Sequence, residues 1–70
     1  MARYIEKRQI WSNGKNEIEV IVEWHFRDMV ETWFFSVNGK DYFYQKPHYA
    51  KARLAKLGYE YSSTASRRAV

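Results

Sequence analysis

Hydrophobic and polar residues alternate over residues 17–26. Ile18, Val20, Val22, Trp24 and Phe26 fall on one side. Glu17, Glu19, Glu23 and His25 fall on the other, with Ile21 as the one apolar exception. Successive side chains of an extended chain point to opposite sides, so a period of two in a segment rich in β-branched residues predicts a strand with one inward face. Residues 4–11 form a weaker candidate strand with mixed faces. Residues 30–37 form the next, reached through Arg27, Asp28 and Met29, and residues 40–45 another. Two Asn-Gly-Lys triplets, at residues 13–15 and 38–40, punctuate these runs. Asn and Gly supply the positive φ at both central positions of a type I′ turn, so both triplets read as hairpin turns.

After Gln45 the pattern changes. Pro47 suits the first position of a helix, where its missing N–H is no loss. Residues 48–57 are mostly good or tolerable helix formers, and Gly58 supplies a stop with Lys56 near the negative end of the helix dipole. Ala50, Leu54 and Leu57 recur at helical spacing as one narrow apolar stripe. Residues 58–61 read as a short extended piece returning its tyrosines to the body. Residues 62–70 are polar with two arginines and are expected to be mobile. The sequence therefore predicts an α+β fold: an antiparallel meander of three to four strands with one C-terminal helix packed on one face. It occupies residues 1–61 as a single domain, followed by a flexible basic tail over residues 62–70.

A turn at Asn38-Gly39 sets Val37 opposite Lys40, Phe35 opposite Tyr42 and Trp33 opposite Tyr44 on one face, with Phe34 opposite Phe43 on the other. Both sides of this hairpin carry large aromatics, and one short helix covers one side of a sheet. The second side is either covered by other parts of the chain or is a binding face for a partner or a second copy. Trp33, Phe34, Phe43, Glu19 and Glu23 are the candidate residues for such a face.

Charge sharpens the picture. The net charge of +4 divides into +3 over residues 1–15, −4 over residues 16–39 and +5 over residues 40–70. A basic balance at both ends suggests an acidic or polyanionic partner, although a solvated surface has the same appearance. Tyr49, Arg53 and Lys56 line one flank of the helix, Lys51 lies on the opposite flank, and Lys46 precedes it. With Arg67 and Arg68 they form the candidate nucleic-acid contacts, the cations meeting phosphates and Tyr49 stacking or hydrogen-bonding. Bases stacked on the aromatic strands are a second route, weighed down by the acidic second strand.

Several functions lack the residues they need. Cysteine is absent, which removes disulfides, thiolate metal sites and a cysteine nucleophile. The two histidines, His25 and His48, have no ligand spacing, so no metal or other cofactor is expected. Three glycines form no phosphate loop, dinucleotide fingerprint or nucleophile elbow, and no enzyme activity or small-molecule substrate is expected. The charged N-terminus does not read as a signal peptide and no apolar run reaches membrane-spanning length, so a cytoplasmic protein is expected, in the host if phage-encoded. No residue motif points to a family. The order of strands followed by one helix is similar to that of sheet-first DNA-binding modules such as the arm-binding domains of phage integrases. Two readings result. One is a small DNA- or RNA-binding protein acting through the basic helix and termini. The other is a protein-binding adaptor or inhibitor, of the kind phages and mobile elements encode, acting through an aromatic and acidic sheet face.

Overall fold

A computed structural model describes residues 3–69 of the chain. The elements follow in the order β1 (Tyr4–Ser12), β2 (Glu17–His25), β3 (Val30–Val37), β4 (Lys40–Tyr44), α1 (Pro47–Lys56) and β5 (Glu60–Ala69). The strands form one antiparallel sheet in the order β4-β3-β2-β1-β5. The fold is thus α+β, a meander of four strands with one helix on it and a fifth strand added at the far edge.

The β3–β4 hairpin has the register expected from its turn: Val37 faces Lys40, Phe35 faces Tyr42, Phe34 faces Phe43 and Trp33 faces Tyr44. Asn38 and Gly39 both have positive φ, 52° and 80°, as a two-residue I′ turn requires. The first triplet behaves differently. Residues 13–16 make a four-residue loop in which Gly14 alone is left-handed. Asn13 Oδ1 instead accepts hydrogen bonds from the backbone N–H groups of Lys15 (2.9 Å) and Asn16 (2.7 Å), a side-chain mimic of a turn.

Helix α1 begins at Pro47 after an extended Lys46 and ends in a Schellman arrangement. The Gly58 N–H donates to the Ala55 carbonyl (3.0 Å), and the Tyr59 N–H to that of Leu54 (2.9 Å). Gly58 makes this reversal at φ 91°, which side chains disfavour. The stop delivers Tyr59 into the core, where Ala50 and Leu54 pack over Trp11, Val20, Val22, Trp33, Phe35 and Val37. Leu57 packs at the margin of this cluster. The helix lies against β3 and β4, so only one side of the sheet is covered.

Residues 62–69 are a strand, where the polar composition had suggested a mobile tail. Every residue of β5 is exposed, so no apolar alternation marks it. Backbone hydrogen bonds to β1 hold it, with register shifts that leave Ser62 and Ala65 without partners. Two side-chain anchors assist: Tyr61 meets Trp11 edge-on at 5.9 Å between centroids, and Arg68 pairs with Glu6 at 3.3 Å.

Candidate functional site

Cross-strand partners share a face, so the register divides the side chains between two surfaces of different chemistry. The outer face, away from α1, carries Glu6, Arg8 and Ile10 of β1, then Glu17, Glu19, Ile21, Glu23 and His25 of β2. Val30, Thr32 and Phe34 of β3 and Asp41 and Phe43 of β4 share it, as do Tyr4, Ser12 and Ser36, with Arg68 joining from β5. Phe34 is 38% exposed and its cross-strand partner Phe43 is 59% exposed. Together with Ile21, Glu23 and Thr32 they line a shallow groove of about 280 Å³. A second hollow of about 500 Å³ continues past Phe43 to His25, Asp28, Val30 and Gln45, and Glu23 borders both. Apolar rings with carboxylates at the margin therefore form one continuous surface.

Electrostatics on this face are organised around a buried carboxylate. Glu6 is 7% exposed and sits opposite Glu23 on the neighbouring strand. Like charges in that position repel. Arg8 Nε contacts a Glu6 oxygen at 3.1 Å, Arg68 reaches the same oxygen at 3.3 Å, and Arg8 Nη1 reaches Glu19 at 2.7 Å. The hydrogen bond to Glu6 and then that to Glu19 raise the Arg8 guanidinium above its ordinary pKa and keep it charged. His25 Nε2 lies 3.4 Å from Glu23 and 3.3 Å from the Thr32 hydroxyl. These ion pairs all lie on the outer face, and both of its arginines are engaged in them. Glu17, Asp28 and Asp41 have no cationic partner among the described residues.

The helix side has the reverse balance. Lys7 of β1, Arg67 of β5, Lys40 of β4, and Lys46, Lys51, Arg53 and Lys56 of the helix and its approach form no ion pair among the described residues. Arg53 is nevertheless occupied: its Nε donates to the Tyr44 hydroxyl (3.1 Å), and its guanidinium lies over the Tyr42 ring at 5.7 Å. The hydrogen bond to Tyr44 raises its pKa further. Arg53 therefore clamps the helix to β4. Tyr49 and Lys56 stay exposed beside it around a hollow of about 330 Å³.

These positions re-sort the residues singled out from sequence. Phe34, Phe43, Glu19 and Glu23 come together on the outer face. Trp33 does not: it is 3% exposed beneath the helix, because β3 places Trp33, Phe35 and Val37 on the covered side. Tyr49, Arg53 and Lys56 gather at one flank, Lys46 is the extended residue that precedes the helix, and Lys51 stands on the other flank, with its amine 5.8 Å from the Trp33 ring. Arg67 and Arg68 part company, Arg67 beside Lys7 on the helix side and Arg68 beside Glu6 on the outer face. Sequence reasoning missed Arg8, Glu6, Ile21 and Asp41 as neighbours of the outer groove. The β1–β2 register that unites the first two with β2 depends on a four-residue loop whose length the Asn-Gly signal did not reveal.

Compared with known proteins, the chain matches no family, no curated protein and no solved structure. No helix among the described residues is long and apolar enough to cross a membrane. No group of three or more His, Asp or Glu among them is arranged to hold a metal ion.

Proposed function

We propose that this protein is a non-enzymatic binding module that captures another protein on its outer sheet face. The partner segment is apolar and flanked by Lys or Arg. The observation that carries this reading is the exposed Phe34–Phe43 pair, set among Glu23, Asp28 and Asp41 on a face whose arginines are already paired. Burying these rings yields roughly 25 cal/mol per Å² of apolar surface removed from water. The carboxylates select for positive charge and repel phosphate backbones. They also oppose self-association through this face, since a second copy would bring its own acidic groups against them. An adaptor or inhibitor role, in which a small domain masks a basic apolar surface of a larger protein, follows from this chemistry.

The test is selection of a random peptide library on the immobilised protein, followed by binding measurements on the enriched peptides. The reading expects apolar sequences bearing Lys or Arg whose binding is abolished by Phe34→Ser with Phe43→Ser and by Glu23→Lys. Enrichment of acidic sequences, or binding indifferent to these substitutions, would reject it.

A further inference from the structure

The sheet has two open edges. One belongs to β4, five residues long, which runs between a tight turn and the helix. The other belongs to β5, ten residues long, and no strand among the described residues pairs with its far side. Every residue of β5 is exposed and none is Pro. Edge strands are usually guarded by Pro, by bulges or by charge, because an open edge is a template for another chain. The charges of β5 are of both signs and sit at opposite ends: Glu60 opens the strand, and Arg67 and Arg68 close it. An edge charged with one sign repels a copy of itself, whereas this one attracts a copy laid antiparallel.

The faces of β5 select one register for such a pair. Cross-strand partners share a face, and a two-fold axis perpendicular to the sheet keeps the helix side of one copy with the helix side of the other. Pairing with β1 sets Glu60 and Arg68 on the outer face, opposite Ser12 and Glu6, and sets Tyr61, Thr64 and Arg67 on the helix side, opposite Trp11, Gln9 and Lys7. With the axis at Thr64, Glu60 meets Arg68 of the second copy, Tyr61 meets Arg67, and Thr64 meets itself. Both end pairs then match in face and in chemistry, carboxylate with guanidinium and aromatic ring with guanidinium. Moving the axis by one residue either way separates Glu60 from Arg68. Between the ends stand Ser62, Ser63, Ala65 and Ser66, so the bulges at Ser62 and Ala65 bring no bulky side chain into the seam.

The end groups are available for this contact. Glu60 and Arg67 form no ion pair among the described residues. Arg68 uses only Nη2 on Glu6, at 3.3 Å, and its side chain is 67% exposed, so the rest of its fork is open to a second carboxylate. Tyr61 touches Trp11 and is still 53% exposed.

We propose that two copies of this chain join edge to edge through β5, antiparallel about a two-fold axis at Thr64, so that two five-stranded sheets become one continuous sheet. Both helices lie on one side of it and both acidic outer faces on the other. The pairing leaves those outer faces uncovered, so it stands whether or not they bind a partner. Where they do, a partner with two basic apolar segments gains from engaging both.

Sedimentation velocity of the full chain from about 1 μM to about 1 mM tests the proposal. The expected result is a shift from the 8.5 kDa monomer to twice that mass. Glu60→Arg and Arg68→Glu each weaken the dimer by at least about tenfold. An equimolar mixture of these two variants restores it, because each end pair again joins opposite charges. The chain has no cysteine, so a single introduced thiol reports the register without altering the charged ends. Under oxidation Thr64→Cys yields a disulfide-linked dimer, whereas a thiol in Glu60→Cys is remote from its own copy and does not link. A monomer at every concentration overturns the proposal. So does a dimer that Glu60→Arg leaves at full strength, or one in which Glu60→Cys links as readily as Thr64→Cys.

Discussion

Trp33 and Phe34 are adjacent in β3 and face opposite ways: Trp33 is buried under the helix, and Phe34 lies open on the outer face beside Phe43. One peptide bond separates a core residue from a residue of the proposed binding face. Trp33→Ala is therefore expected to cost about 3–5 kcal/mol, a large share of the stability of so small a domain. Phe34→Ser, at a ring left 38% exposed, should cost less, about 1–2 kcal/mol. Urea unfolding followed by circular dichroism measures both. Equal losses at the two positions would mean that the outer face is part of the core.

The helix stop rests on Gly58 at φ 91°. A Cβ there meets no neighbour within 4 Å, so the penalty of Gly58→Ala is conformational. It should amount to about 1–2 kcal/mol and lower the melting temperature by several degrees. Calorimetric melting of this variant beside Ala52→Gly, at an exposed helix position, separates loss of the cap from loss of helix propensity.

At the far edge, β5 depends on backbone pairing and on the Arg68–Glu6 contact. Arg68→Glu places a third carboxylate beside Glu6 and Glu23. Amide hydrogen exchange should then accelerate over residues 66–69 and their β1 partners, while β3 and β4 keep their protection. Uniform acceleration would mean that β5 is integral to global stability.

Arg53 links α1 to Tyr44, and that hydrogen bond raises its pKa. A group whose folded pKa is raised contributes stability that is fully present below its unfolded pKa and is lost only as pH rises through the folded value. For an arginine that window lies beyond neutral and moderately alkaline solution. Arg53→Gln should therefore destabilise by the same amount from about pH 6 to pH 9, as measured by chemical denaturation.

Much of this arrangement is legible in the sequence, and the exceptions have physical causes. Alternation over β2 and the Asn38-Gly39 turn specify faces and register, because one residue of slip would exchange Trp33 and Phe34. Pro47 and Gly58 bracket the helix through backbone constraints that each residue carries by itself. Strand β5 escapes such reading because an edge strand exposed on both sides has no hydrophobic period to display. The covered face was equally hidden: aromatic residues alternate on both sides of β3, and only the docking of Ala50 and Leu54 on the Trp33 side decides between them. The Glu6–Arg8–Glu19–Arg68 network joins three strands, so no local spacing announces it.

The outer-face account is tested most directly by adding a library-selected basic apolar peptide to the isotope-labelled protein and mapping amide shifts by NMR at near-physiological salt. The account predicts perturbations centred on Ile21, Glu23, Thr32, Phe34 and Phe43, and their loss in the Glu23→Lys protein. Perturbations centred instead on Tyr49, Arg53 and Lys56, with the outer strands unmoved, would contradict it.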